Sequence, residues 1–376
     1  MKVVFRTDAS LQIGSGHVMR CLTLADALRA QGADCHFISR EHPGHLLDAI
    51  RQHGHKASRL TAHVDIANAA INNIANETPG SLHLPAHVDW LGCPWQTDAQ
   101  ETAVVLNELQ PDWLVEDHYA LDQRWEQALA PHYRKLLVID DLADRTHQCN
   151  LLLDQNLGRQ PQDYACLVPQ HCLVLIGPQF ALLRNEFAAL RPSSLQRRQR
   201  TPGVRRLLIT MGGTDQPNAT GKVLQALKTC ALPADCHITV VMGPTASWLQ
   251  DVQELATQMP WPTEVVVNVA DMAQRISDSD LSIGAAGGTS WERCCLGMPA
   301  IVVVLAKNQH PSAEALEVAN AARSIGDARN IASLLPFVVG ELLGSDCLQE
   351  MSVAASAITD GHGVGKVLNA MGVNSD

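Results

Sequence analysis

The feature that most constrains this chain comes at its start: an apolar run, a glycine-bearing polar loop, an amphipathic stretch and a second apolar run. Residues 2–6 (KVVFR) predict a buried strand and residues 7–16 a loop. Residues 17–30 set Val18, Cys21, Leu22, Ala25 and Leu28 on one helical face, and Gly32 follows as a stop. Residues 35–38 predict the next strand. Strand–loop–helix–strand is a βαβ unit, whose crossover makes the two strands parallel.

The same grammar recurs. Residues 113–116, 136–139 and 151–153 predict strands that end in Asp117-His118-Tyr119, Asp140-Asp141 and Asp154-Gln155-Asn156. Apolar strands with polar residues at their carboxyl ends are what a parallel sheet presents where ligands bind. Helices are expected over 65–77 and 98–109, and a Pro/His-rich loop or insertion over 78–95. After a polar, proline-bearing stretch at 191–203, strands are predicted at 206–210, 237–241, 264–267, 281–283 and 300–305. Helices are expected between them at 219–229, 247–258, 272–277, 291–296 and 312–321, with a helical tail beyond. The expectation is an α/β chain of two Rossmann-like, doubly wound domains with a cleft between them. The first spans 1–190 and the second 204–376, with 191–203 as linker and the last helix packing back on the first domain. A chain of 376 residues exceeds the roughly 250–300 at which single cores stop growing.

Composition narrows the function. Net charge is −11, and the only basic cluster, Arg197, Arg198 and Arg200, reads as solvated linker, so no nucleic-acid partner is expected. No stretch approaches about 18 uninterrupted apolar residues, so no membrane span is expected, and the start carries no signal-peptide core. A cytoplasmic protein is expected, acting as a monomer. The eleven cysteines include no CxxC pair and no HExxH occurs, which predicts reduced thiols and no metal. The histidine-rich stretch 41–57 reads as surface helix and turn.

Three loops carry the candidate chemistry. In GSGH, Gly14 and Gly16 permit tight turns and close ligand approach, and His17 opens a helix. The helix dipole disfavours the imidazolium there, leaving the neutral imidazole that a general base requires. In GAAGGTSWE (284–292), Gly287, Gly288, Thr289 and Ser290 offer N–H groups and hydroxyls to a diphosphate, and Glu292 suits the two hydroxyls of a ribose. Asn308 and Gln309 follow the next strand, with amides suited to sugar hydroxyls and acetamido groups. Gly212, Gly213 and Thr214 follow the first strand of the second domain, and Gly243 opens a similar, weaker loop. Each also has a plainer reading, as a capped helix start or a simple strand-to-helix turn.

The segments FRTDASLQIGSGHVMRCLTLA (5–25), DHYALD (117–122), LLDQNLG (152–158), GPQFALLRNEF (177–187), MGGTD (211–215), GAAGGTSWERCCLGMP (284–299) and LAKNQ (305–309) occur in this order. Together they resemble the bacterial UDP-2,4-diacetamido-2,4,6-trideoxy-β-L-altropyranose hydrolases of pseudaminic acid biosynthesis. Segment 284–299 alone also looks like the nucleotide-sugar segment of the glycosyltransferase that makes lipid II. The resemblance implies a GT-B fold with UDP held mainly by the second domain. It implies cleavage of the sugar C1–O bond by water with inversion, no cofactor and no metal. It places the general base on His17, substrate contacts on Asn308 and the Gly212–Gly213 loop, and Tyr119 beside the sugar. Arg6, Asp8 and Asn156 join the substrate-binding set by position. Residues 60–110 are longer than the family pattern, and their Pro/His-rich part matches no functional motif. Two other readings remain: a glycosyltransferase using a UDP-amino sugar, and a nucleotide-sugar binding module without turnover.

Overall fold

The computed structural model describes residues 1–62, 84–200, 203–343 and 347–373. The helix expected over 65–77 lies outside the described residues. The chain divides into two units. One comprises Met1–Gln155, Arg159–Leu182 and Val364–Asp376; the other comprises Asn156–Gly158 and Leu183–Gly363.

In the first unit the strands are β1 (Lys2–Thr7), β2 (Asp34–Arg40), β3 (Lys56–Leu60), β4 (Trp113–Asp117), β5 (Lys135–Ile139), β6 (Leu151–Asp154) and β7 (Leu173–Ile176). They form one sheet in the order β3-β2-β1-β4-β5-β6-β7, with every neighbouring pair parallel. Alternation along β1 sorts its side chains between two cores. Val3 and Phe5 pack with Val18, Leu22 and Ala25 of the helix Gly16–Ala30. Val4 packs on the other face with Ile38, Leu114 and Trp125. Val364, Val367, Leu368 and Met371, on and just beyond the helix Gly363–Ala370, complete the first of these cores.

In the second unit the strands are β8 (Arg206–Thr210), β9 (His237–Met242), β10 (Thr263–Val267), β11 (Leu281–Ala285), β12 (Ala300–Val304) and β13 (Ala322–Asp327). Their order is β10-β9-β8-β11-β12-β13, again parallel throughout. In both sheets the order reverses beside the first strand, between β1 and β4 and between β8 and β11. Such switch points open a crevice at the carboxyl ends of the strands.

Several sequence expectations are corrected. Residues 191–200 of the expected linker are helical, within the helix Asn185–Arg200, despite Pro192. Arg197 and Arg198 are not solvated, whereas Arg200 is exposed. Arg198 donates to the carbonyls of Leu296, Ser279 and Ile276, and Arg197 pairs with Asp280. Arg191 donates to Cys295, Thr359 and Ser356. Cations that satisfy carbonyls at the ends of other helices hold this helix in place. Residues 56–57, read as the end of a surface helix and turn, open the edge strand β3, and residues 173–176, for which no strand was expected, form the edge strand β7. The tail is interrupted by β13. Within 78–95 the described part contains a 3₁₀ turn, Val88–Leu91, and the following helix begins at Trp95.

Candidate functional site

The first site grows from the β1–β4 switch point. The loop after β1 is closed by Ser10, whose Oγ accepts the N–H groups of Gln12 and Ile13, and whose carbonyl accepts the N–H of Gly14 at 2.8 Å. Gly14 sits at φ +82°, a left-handed conformation that a glycine adopts without strain. The helix then starts at Gly16, so His17 stands in its first turn.

His17 Nδ1 lies 2.6 Å from Asp117 Oδ1. Asp117 ends β4 and is the register partner of Thr7 on β1. Arg20, one turn further along the helix, donates to both oxygens of Asp117 at 2.6 and 2.7 Å and to Asp141 Oδ2 at 2.6 Å. The Tyr119 hydroxyl donates to the same Asp141 oxygen at 2.6 Å, and its ring meets the His17 ring edge-on at a centroid distance of 4.5 Å. Burial alone would push the Asp117 carboxyl up. Arg20 and then His17 outweigh it and hold Asp117 well below the usual carboxylate range. An ionised Asp117 accepts from Nδ1–H and so fixes the tautomer that leaves the Nε2 lone pair available. No described residue hydrogen-bonds Nε2. His17 is 8% exposed. This is the geometry of an oriented general base.

Arg6 and Asp8 are placed differently from the sequence reading. Both side chains are wholly buried. Arg6 is bidentate to Asp98 at 3.1 and 2.6 Å and reaches Asp8 at 2.7 Å. Asp98 also accepts from Arg40 at 2.6 Å and from the Trp125 indole at 3.0 Å. Arg6 alternates with Phe5 along β1 and therefore points away from the helix that carries His17. The pair ties β1 and β2 to the helix Trp95–Leu109 beneath the site, and neither side chain presents a surface to substrate.

On the same far face of β4, Glu116 approaches Glu126 and His147, a group that could hold a metal ion. Glu126 already accepts from His147 Nδ1 at 2.6 Å and from the Gln148 N–H. Arg145, paired with Asp140 at 2.8 Å, supplies positive charge nearby. Burial and then Glu126 push the Glu116 carboxyl well above its ordinary range. Its two oxygens are buried without a partner. A neutral carboxylic acid accounts for that environment.

In the second unit the candidate loops follow β8, β9, β11 and β12, which are contiguous in the sheet. A Cβ on Gly243 would stand 2.0 Å from the Gly213 carbonyl oxygen, so the loops after β8 and β9 touch backbone to backbone. Gly212 has φ +89°. Asp215 caps the helix Ala219–Leu227 through the N–H groups of Ala219 and Thr220 at 2.8 and 2.9 Å. Gln309 accepts from the Leu305 N–H at 2.9 Å and lies beside Gly287. Asn308 is half-buried, and no described residue hydrogen-bonds its amide. Asn156 accepts from Ser312 at 3.0 Å.

Ser290 departs from expectation. Its hydroxyl is buried and accepts from Arg293 at 2.8 Å, so it is committed to the interior. Thr289 and Gly288 remain at the mouth of the loop. The Glu292 carboxyl is pushed up to about 7 by burial, against the opposing pull of Arg184 and Arg293.

Asp117, Arg20 and Asp141 were absent from the sequence reading of the site. Asp117 stands in the DHYALD segment. Arg20 lies three residues from His17, a spacing that puts both on one helix face.

Two units with parallel sheets in this order define a two-domain GT-B fold. Residues 206–362 match the glycosyltransferase family 28 C-terminal domain. The chain is 24% identical over 314 residues to the UDP-2,4-diacetamido-2,4,6-trideoxy-β-L-altropyranose hydrolase of Campylobacter jejuni, covering 83% of this chain and 95% of that one. It is also 24% identical over 313 residues to an uncharacterised protein of Methanocaldococcus jannaschii; that match covers 82% of this chain but only 56% of the relative's length. Among solved structures, MurG of Acinetobacter baumannii superposes with a TM-score of 0.68 at 16% identity, over 99% of both chains. The spinosyn rhamnosyltransferase SpnG gives 0.59 at 17% identity, over 98% and 99%.

Proposed function

We propose that the protein hydrolyses UDP-2,4-diacetamido-2,4,6-trideoxy-β-L-altropyranose to the free sugar and UDP. The observation that carries this reading is the His17–Asp117 pair, an imidazole held in one tautomer with its second nitrogen uncommitted. The likeness to the Campylobacter hydrolase along nearly all of that protein supports the substrate, and the family 28 match supports a nucleotide-sugar-binding second unit.

In this mechanism a water attacks C1 on the face opposite UDP. The C1–O bond breaks and its electron pair leaves on the diphosphate. One water proton passes to His17 Nε2, and the Asp117 carboxylate stabilises the imidazolium that forms. UDP is a good leaving group, so one base suffices where most glycosidases use two carboxylates. The backbone N–H groups of Gly212, Gly213, Gly287 and Gly288 receive the diphosphate, with Thr214, Gly243 and Thr289 completing those loops. Glu292 takes the ribose, and Asn308, Gln309 and Asn156 the acetamido and hydroxyl groups. Tyr119 borders the sugar. Arg6 and Asp8 support the loop from below.

The test is UDP release from this substrate without acceptor. Wild type is expected to turn over, and His17→Ala to lose roughly 10²-fold or more in kcat, the low end of a general base's contribution. A second reading, a glycosyltransferase using a UDP-amino sugar, is favoured by the family 28 match and by the fold shared with known glycosyltransferases. It requires that UDP release depend on an added acceptor.

A further inference from the structure

Residues 84–95 belong to the stretch that matches no functional motif, yet they place Trp90 against His17 and Tyr119, and His87 against Trp90 and Tyr119. The 3₁₀ turn Val88–Leu91 is anchored by the wholly buried Leu91. That anchor leaves His87 and Trp90, three residues apart and on one side of the turn, half-buried. Their rings lie 4.2 Å apart. Trp90 stacks on Tyr119 at 5.7 Å and 25°, and it meets His17 edge-on at 6.4 Å. His87 approaches Tyr119 at 5.5 Å. Neither the Trp90 indole nor the His87 imidazole hydrogen-bonds any described residue. Burial holds His87 below its ordinary range, so the ring is neutral.

Trp pairs a large apolar face with a polar N–H that usually finds a partner, the combination favoured where one end is apolar and the other meets a ligand or water. Here a neutral aromatic wall, with two polar tips that no described residue engages, stands beside the His17 and Tyr119 rings. We propose that Trp90 and His87 are specificity residues that recognise the apolar face of a 6-deoxy, N-acetylated hexose. The aromatic faces take the ring C–H groups, the C6 methyl and an acetamido methyl, while the indole N–H serves an acetamido oxygen. A sugar carrying a 6-hydroxyl would desolvate that group against the wall without a partner. This inference rests on the nucleotide-sugar reading above and adds which groups of the sugar are read, and by what.

The experiment measures kcat and KM for UDP release by wild type, Trp90→Ala, Trp90→Phe and His87→Ala. Both the diacetamido-trideoxy substrate and UDP-N-acetylglucosamine are used. Thermal melts and saturation-transfer NMR on the methyl protons of the same substrate accompany the kinetics. For Trp90→Ala the expected result is a KM rise of about tenfold with kcat changed less than about threefold, in the range of one lost aromatic contact. Trp90→Phe should recover most of the affinity. Preference over UDP-N-acetylglucosamine should fall in both alanine variants, with the melt and the methyl saturation signal separating recognition from folding. Active wild type with unchanged KM and preference in Trp90→Ala overturns the inference and leaves the hydrolase reading standing. A variant that merely melts early, with Trp90→Phe no better, also overturns it. Wild type that does not turn over but still saturates at the methyls, with loss in Trp90→Ala, fails the hydrolase reading and sustains the wall. No turnover and no saturation fails both.

Discussion

At the residue scale, one carboxylate serves a standing cation, Arg20, and an imidazole, His17. Asp117 accepts from His17 Nδ1 and from two nitrogens of Arg20, and that sharing keeps it ionised. Asp117→Asn should therefore keep the fold but lose the tautomer, lowering kcat by about 10²–10⁴-fold with little change in KM. Equal losses in both parameters, with an altered melt, would point to a structural role instead. Glu116, on the opposite face of the same strand, makes a stability prediction. Its folded pKa is raised above the unfolded value, so its contribution is fully present at low pH and is lost as pH rises towards the folded pKa. Glu116→Gln should melt increasingly above wild type as pH is raised from 5 to 8.5; parallel melting curves would contradict the neutral-acid assignment. Glu292, near 7, titrates in the working range. If its carboxylate holds the ribose, UDP affinity should tighten by up to about tenfold from pH 6 to 8 in wild type relative to Glu292→Gln, as calorimetry would show. His17 was legible because glycines and a helix start announce it. Asp117 was not, because only the sheet order makes β4 the neighbour of β1. Arg6 and Asp8 were misplaced because nearness in sequence to a candidate loop does not reveal which face of a strand a side chain occupies.

At the element scale, the central strands and the edge strand β10 were legible, and the edges β3, β7 and β13 were not. KVVFR and AIVVV are apolar runs that only a doubly covered parallel strand explains. KASRL (β3) and ARSIGD (β13) lie at sheet edges and carry no such signal, because fewer of their side chains are buried. The helix Asn185–Arg200 was hidden for another reason. Its stability comes from arginine contacts to distant carbonyls, which composition reads as solvated charge. The glycine loops give a sharper test. Gly243→Ala places a Cβ against the Gly213 carbonyl, backbone that cannot swing aside. It should lower stability by roughly 1–3 kcal/mol, the range for forcing an extra methyl into packed structure. UDP affinity should fall with it, whereas an unchanged melt would mean that the two loops have room to part.

At the scale of the whole molecule, two sheets of the same topology each place their candidate residues at the point where strand order reverses. His17 and Asp117 flank the β1–β4 switch. Gly212–Gly213 and Gly287–Gly288 flank the β8–β11 switch. The repeated grammar of the sequence announced two such sheets. The strand order that creates the switch points is tertiary information, set by crossovers that no local pattern records. The central claim is that water, activated by His17, takes the sugar from UDP. The most direct measurement is turnover in H₂¹⁸O without acceptor, locating the label by mass spectrometry and reading the first-formed anomer by NMR. The account predicts ¹⁸O at C1 of the free sugar, none in UDP, an inverted anomer, and loss of the reaction in His17→Ala. Label in the UDP phosphate, retention at C1, or full activity in His17→Ala would contradict it.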